Sequence, residues 1–215
     1  MVALCALGLA IAAVDVLATP TPSSLEAVRR WHFSVLLNGK PIGEHDFAVT
    51  RQASGFAVET RARFRVKALF VSLYGYDHQD HEIWRDGCLA QVDAQTSDNG
   101  RESTVHGRLA GENFQVQGPA GSTSLPACVH TFAYWDPNVL TQQRLLNVQT
   151  GVYEPIEVTH LGIENVSARR QDVEAEHYAL TGNKFRIDLW YSRAGEWLAL
   201  ESRTQKGSTL RYEIH

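Results

Sequence analysis

A period-two alternation of apolar and charged residues runs through most of the chain. From Phe56 to Phe70 the even positions are mostly apolar, whereas the odd positions include Glu59, Arg61, Arg63, Arg65 and Lys67. Because successive side chains of a β-strand point to opposite faces, this pattern predicts a long strand with one dry and one hydrated face. The length of the run predicts a bend or β-bulge near Lys67–Leu69.

The same alternation recurs between turn signals. Asn38-Gly39 is typical of a tight hairpin, and Asp86-Gly87 and Asn99-Gly100 bound the next pair of strands. Further glycine-containing turns follow, and no long helical pattern separates the strands. We therefore predict a mainly all-β fold, an antiparallel up-and-down meander curled into an open or closed barrel.

One segment departs from this alternation. Asp136-Pro137 is typical of a helix start, with an N-cap residue followed by proline at the first helical position. A short amphipathic pattern follows, formed by Val139, Leu140, Leu145 and Leu146. We predict one short helix around residues 137–146 that plugs a mouth of the barrel or covers one face of the sheet.

The first residues predict export. Residues 2–13 form an uncharged apolar run, and Val16-Leu17-Ala18 is a small-residue pattern suited to cleavage. We predict a signal peptide at 1–18, an N-terminal extension at 19–28, a single β-barrel-like domain at 29–215, and a periplasmic location. No Lys or Arg precedes the apolar run, and a buried N-terminal helix is the alternative interpretation.

The charge of the chain argues against binding to nucleic acid, and its hydropathy argues against a membrane-spanning segment in the mature protein. The formal net charge is −4 at pH 7, and no cluster of positive charge forms a basic surface for nucleic acid. No later apolar stretch approaches the length that crosses a bilayer, so the mature chain should have no integral membrane segment.

Two cysteines remain after the predicted cleavage. Cys88 and Cys128 lie 40 residues apart, and two cysteines in an oxidising compartment favour a disulfide. The alternatives are two buried thiols, or a nucleophilic Cys128 assisted by His130.

The stretch Tyr74–Trp84 mixes aromatic and polar residues on both faces of a predicted strand. One face would carry Tyr74, Tyr76, His78, Asp80, Glu82 and Trp84. A hydrated lumen, a ligand pocket or an exposed rim would each account for a face of this composition.

The cluster His78, Asp80 and Glu82 has the residue types of a metal site or of an acid–base pair. However, His78 and His81 would point to opposite faces, and no HExxH motif or close cysteine pair is present. The sequence also lacks a G-x-S-x-G motif and a phosphate-binding loop. We therefore predict no metal and no cofactor, and favour a non-enzymatic function.

Aromatic residues lie close to the predicted helix, notably Tyr134 and Trp135. Core packing and cross-strand pairing explain such residues, and a cavity for an acyl chain is the alternative. The candidate ligand-binding residues are Tyr76, His78, Glu82, Trp84, Tyr134 and Trp135.

Several short motifs follow one another along the chain: Tyr76-x-His78-x-x-x-Glu82-x-Trp84-x-Asp86-Gly87-x-Leu89, Thr96-x-Asp98-Asn99-Gly100, Tyr134-Trp135 and Gln149-Thr150-Gly151. This order resembles an uncharacterised family of exported proteobacterial proteins, known as a domain of unknown function. Its genes often stand beside those of cyclopropane fatty-acyl phospholipid synthase, which implies a link to envelope lipid. The architecture is similar to the open β-barrels of periplasmic lipoprotein and lipid carriers, an analogy of fold only.

Three functional hypotheses follow. The first is a periplasmic protein that binds or carries a lipid-like or apolar ligand of the cell envelope. The second is an enzyme that modifies envelope lipid or polysaccharide with His78, Asp80 and Glu82. The third is a scaffold or interaction protein that uses an exposed sheet edge.

Overall fold

The structure is a computed structural model, and it describes residues 27–68, 71–204 and 207–215. The predicted signal peptide at 1–18 lies outside the described residues, and so does most of the predicted extension at 19–28. The first strand begins at Ala27, two residues before the predicted start of the domain.

The described chain is almost entirely β-strand. Its elements are β1 (Ala27–Leu37), β2 (Lys40–Gln52), β3 (Gly55–Ala68), β4 (Val71–Arg85), β5 (Cys88–Asp98), β6 (Arg101–Ala110), β7 (Asn113–Gly118), β8 (Gly121–Pro126), a 3-10 helix (Pro137–Thr141), β9 (Arg144–Asn147), β10 (Val152–Pro155), β11 (Glu157–Ala168), β12 (Gln171–Thr181), β13 (Arg186–Tyr191), β14 (Trp197–Arg203) and β15 (Thr209–Ile214). The mainly all-β prediction is confirmed.

Thirteen of these strands form one antiparallel sheet in the order β11-β12-β13-β14-β15-β1-β2-β3-β4-β5-β6-β7-β8. Neighbours in the sheet are neighbours in the chain except at the β15–β1 pair, which joins the end of the chain to its beginning. The sheet is therefore an up-and-down meander, as predicted. It does not close, because β8 and β11 are its two edges.

The predicted hairpins are present. Asn38, Asp86 and Asn99 have φ angles of 50°, 51° and 51°, and the glycine that follows each of them also has a positive φ. Such paired positive φ angles match the right-handed twist of the adjoining strands. The predicted irregularity in the long strand is also present, since the β3–β4 register shifts between Val66 and Lys67.

Residues 127–156 leave the sheet between its two edges, and we call them the insert. The predicted helix begins as expected, because the Asp136 carboxylate accepts a hydrogen bond from the Asn138 backbone N–H at 3.0 Å. It is shorter than predicted, however. It ends at Thr141, and residues 144–147 form β9, which pairs with β10.

The insert packs against the inner face of the curled sheet. Leu145 and Leu146 of β9 are fully buried, and the Tyr191 hydroxyl donates to the Tyr134 carbonyl oxygen at 2.8 Å. A disulfide joins Cys88 at the start of β5 to Cys128 in the insert. The disulfide prediction is confirmed, and the two free-thiol alternatives are wrong.

Candidate functional site: a polar cavity inside the sheet

The inner face of β4 is polar and buried. His78, Asp80 and Glu82 are 6%, 9% and 4% exposed, whereas Gln79 and His81 between them point to solvent. The predicted alternation of β4 is therefore correct, and burial of its polar face is incompatible with an exposed rim. Buried polar and ionisable groups cost free energy unless they find partners, so their partners define the site.

Small neighbours make room for these side chains. In the sheet register Ala62 and Thr96 stand beside His78, and Thr60 and Ala94 stand beside Asp80. Adjacent strands are about 4.8 Å apart, so large residues at these positions would fill the space that the polar side chains occupy. The sequences of β3 and β5 thus leave an open volume in front of β4.

A chain of hydrogen bonds orders the β4 cluster. His78 uses Nδ1 with the Thr96 hydroxyl at 2.9 Å and Nε2 with Asp80 Oδ2 at 3.0 Å. The indole Nε1 of Trp84 donates to Glu82 Oε2 at 2.7 Å. Asp80 Oδ1 is buried and has no hydrogen-bond partner among the described residues.

His45 of β2 brings a second imidazole to the site. Its Nδ1 lies 3.2 Å from the Tyr212 hydroxyl, and its buried Nε2 has no partner among the described residues. Burial, together with nearby His78, lowers the pKa of His45 to about 3. Burial also raises the pKa of Tyr212. At neutral pH both groups are therefore uncharged and available as hydrogen-bonding groups.

Glu82 is a buried acid with an unusual proton affinity. Burial and the charge of Asp80 raise the pKa of Glu82 to about 8, against the opposing effects of Trp84 and Thr131. The Thr131 hydroxyl is buried and has no hydrogen-bond partner among the described residues. Glu82 is thus mostly protonated at pH 7.

These residues line a cavity of about 350 Å³ between the sheet and the insert. Its polar side contains His45, Thr60, His78, Asp80, Glu82 and Thr131. The rest of its lining is largely apolar and contains Phe47, Phe132, Ala133, Tyr134, Trp135, Val148, Phe185, Ile187, Leu200 and Leu210, together with Asn147, Gln149, Ser202 and Tyr212. A pocket with an apolar wall and a few convergent polar groups is typical of a small-molecule site.

The structure brings together four of the six candidate ligand-binding residues, since His78, Glu82, Tyr134 and Trp135 all line this cavity. Tyr76 lies beside it, stacked on Phe64 with ring centroids 5.2 Å apart. Trp84 packs edge-on against Trp135 at 5.6 Å and lines a neighbouring cavity of about 600 Å³. Trp135 borders both cavities.

Sequence reasoning missed the contributions of His45, Thr131 and Tyr212. His45 carried a detectable signal, because it alternates with Phe47 and Val49 on the apolar face of β2. Tyr212 is 167 residues away in the chain, and only the β15–β1 pairing brings it near.

Two absences concern the described part of the chain. There, no group of three or more His, Cys, Asp or Glu side chains has an arrangement that could hold a metal ion. None of the helical segments in that part is long and apolar enough to cross a membrane.

The fold and the cavity together define an open, barrel-like antiparallel sheet with an internal pocket. Residues 33–215 match the family model described as "Domain of unknown function (DUF6134)", and the chain belongs to that family. No curated protein matches the sequence. A crystal structure of a beta-barrel-like protein of domain of unknown function DUF1849 from Brucella abortus is similar, with a TM-score of 0.62. The sequences are 10% identical, and the match covers 86% of this chain and 94% of that chain. This likeness shows the fold alone.

Proposed function

We propose that this protein is a periplasmic binding or carrier protein whose interior cavity holds a small, lipid-like amphipathic ligand of the cell envelope. One observation carries the proposal: an interior cavity joins an apolar wall to a cluster of buried polar groups. Three polar atoms in that cluster, His45 Nε2, Asp80 Oδ1 and the Thr131 hydroxyl oxygen, have no partner among the described residues. The volume of about 350 Å³ lies at the lower end of the range for ligand pockets.

Two features support the periplasmic location. The apolar run at 2–13 and the small residues at 16–18 fit a cleaved leader. The disulfide Cys88–Cys128 fits an oxidising compartment, where such bonds persist.

The experiment is recovery of the bound ligand. The full chain would be expressed with its own leader in a bacterium with a periplasm, purified without detergent, and extracted for mass spectrometry. We expect one amphipathic species in near-stoichiometric amount, and binding of the apolar fluorescent probe N-phenyl-1-naphthylamine by the delipidated protein.

A cavity-filling variant gives the matched comparison. Ala133 lines the cavity and is 6% exposed, so Ala133→Leu reduces its volume, whereas exposed Ala110 on β6 tolerates Ala110→Leu. We expect the first variant to lose probe and ligand while it keeps a cooperative unfolding transition, and the second to retain both. Equal probe binding by Ala133→Leu, or no extractable ligand and no probe binding by the wild type, would contradict the proposal.

Acid–base catalysis on an envelope lipid or polysaccharide is a second candidate function. The observation that favours it is Glu82, whose pKa near 8 beside Asp80 is typical of an acid–base pair. Incubation of envelope lipid and polysaccharide fractions with the wild type should then yield a new product that Glu82→Gln does not form. Identical fractions after incubation with either protein would remove this candidate.

A further inference from the structure

The polar end of the cavity has a definite charge character. Its ionisable residues are the acids Asp80 and Glu82 and the imidazoles His45 and His78, and among the described lining residues none is Lys or Arg. An anionic head group would therefore meet an aspartate and no permanent cation. Because the Asp80 side chain is buried, such a like-charge contact would be costly.

The hydrogen-bonding atoms of the cavity restrict the ligand's head group further than the charges do. Asp80 Oδ1 can only accept a hydrogen bond when the carboxylate is ionised, and it is buried without a partner among the described residues. The Tyr212 hydroxyl lies 3.2 Å from Nδ1 of His45, and we assign it as the donor because this nitrogen is the partner for its proton among the described residues. That assignment places the imidazole proton on Nε2, so His45 presents a donor to the cavity.

Asp80 Oδ1 as an acceptor and His45 Nε2 as a donor line the same cavity and together complement a group that both donates and accepts. The Thr131 hydroxyl, which has no partner among the described residues, can pair with such a group in either role. A hydroxyl group does so, since it has one O–H and two lone pairs. A carboxylate only accepts, and an alkylammonium only donates. The apolar wall that contains Phe132, Phe185 and Leu200 would hold the hydrocarbon part of the same molecule.

We propose that the ligand's polar end is an uncharged hydroxyl group that donates to Asp80 and accepts from His45, so that the pocket selects a lipid alcohol over a fatty acid or an alkylamine. This inference rests on the proposed function, because it names the class of ligand for the same cavity. The selectivity has two sources: the Asp80 carboxylate loses a charge-assisted hydrogen bond when the ligand has no donor, and the His45 Nε2–H loses its acceptor when the ligand is an alkylammonium.

The test is a competition at pH 7 with four probes of one chain length: 1-decanol, its methyl ether, decanoate and decylammonium. Each displaces N-phenyl-1-naphthylamine from the delipidated protein. We expect 1-decanol to bind at least about tenfold more tightly than each of the other three. The methyl ether matters most, because it is more apolar than the alcohol but has no proton to donate, so weaker binding of the ether cannot come from a weaker hydrophobic effect.

Outcomes separate this inference from the proposed function. Equal binding of 1-decanol and its ether, or tightest binding by decanoate or decylammonium, overturns the head-group assignment and leaves the pocket intact. Failure of all four compounds to displace bound N-phenyl-1-naphthylamine overturns the head-group assignment alone, whereas a wild type that binds no N-phenyl-1-naphthylamine and yields no extractable ligand overturns both proposals.

A pair of variants tests whether the Asp80 carboxylate causes the selectivity. Asp80→Asn should reduce the preference for 1-decanol over decanoate to within about threefold, since the amide has no charge to oppose the carboxylate. Asp93→Asn, on the outer face of β5 where Asp93 bonds to His106, should leave the preference unchanged. An unchanged preference in a folded Asp80→Asn protein contradicts the assignment.

Discussion

The neighbouring strands β3 and β4 have the same alternation but opposite chemistry inside the sheet. Inward residues pair directly across the two strands as Val58 with Glu82, Thr60 with Asp80, Ala62 with His78 and Phe64 with Tyr76. On the outer face the two strands are alike, with Arg61 beside Gln79 and Arg63 beside Asp77. The β3 side of the pairs is apolar or small, and the β4 side is polar.

This difference teaches that alternation predicts which side chains point inward and does not predict that the interior is apolar. A polar inward run next to small residues marks a place where the sheet encloses a cavity instead of a packed core. The following predictions test the contrast, from the largest expected effect to the smallest.

Phe64→Ala should destabilise the protein most, by about 3–5 kcal/mol, because it removes a buried ring that stacks on Tyr76. Arg61→Ala on the outer face of the same strand should change the free energy of unfolding by less than about 0.5 kcal/mol. Urea denaturation measures both. Similar losses in the two variants would mean that the faces of β3 do not differ as described.

The double substitution Cys88→Ser and Cys128→Ser should cost about 2–4 kcal/mol, because the bridge ties the insert to β5 and restricts the unfolded chain. The measurement is thermal unfolding under oxidising conditions. Treatment with a reductant should lower the Tm of the wild type and leave that of the double variant unaltered. A wild type insensitive to reductant would show that the insert needs no covalent tie.

Glu82 should make stability fall as pH rises. Its pKa of about 8 in the folded protein exceeds the ordinary 4.5, so between these values the folded state binds more protons than the unfolded state. The contribution of Glu82 to the free energy of unfolding should then decrease by up to about 1.4 kcal/mol per pH unit across that window. Glu82→Gln should flatten this decline, and Glu59→Gln on the outer face of β3 should not.

The pH series has an internal check from His45. Its pKa is lowered from 6.5 to about 3, so the unfolded state binds the extra proton and stability should rise with pH between these values. The two effects oppose each other between about pH 4.5 and 6.5. In that range the stability of the wild type should therefore change little with pH, whereas that of Glu82→Gln should rise and that of His45→Gln should fall. A steep slope in the wild type that is absent from both variants would contradict this pair of assignments.

Asp77→Asn should have a small effect, no more than about 1 kcal/mol. Asp77 accepts hydrogen bonds from Arg65 and Arg63 on the outer face, where its side chain is 44% exposed. Unfolding in low and high salt measures it, since screening should remove most of the loss. A loss of unfolding free energy as large as that of Phe64→Ala would mean that the outer face stabilises the fold as much as the inner face does.

Local patterns predicted the fold well because they act between neighbours in the chain. The alternation of β3, the bulge near Lys67 and the Asn-Gly and Asp-Gly hairpins all follow from backbone rules over a few residues. The segment 144–147 was predicted as helix because Leu145 and Leu146 fit an amphipathic spacing. In the structure these leucines are buried in a strand, and pairing with β10 overrides the local preference.

The candidate site was only partly predictable, for a different reason. His78, Asp80 and Glu82 lie on one strand, so their common face followed from the alternation. His45, Thr131 and Tyr212 reach the same cavity from β2, the insert and β15. Contacts of such long sequence separation depend on the order of strands in the sheet, which no local pattern specifies.

The most direct measurement of the central claim is the pKa of Glu82, read from the ¹³C chemical shift of its side-chain carboxyl across a pH titration of the ligand-free protein. An interior cavity that shields the polar face of β4 from water predicts a midpoint near 8. A midpoint near the ordinary 4.5 would show that this face is hydrated, and the cavity would then lack the character on which both proposals depend.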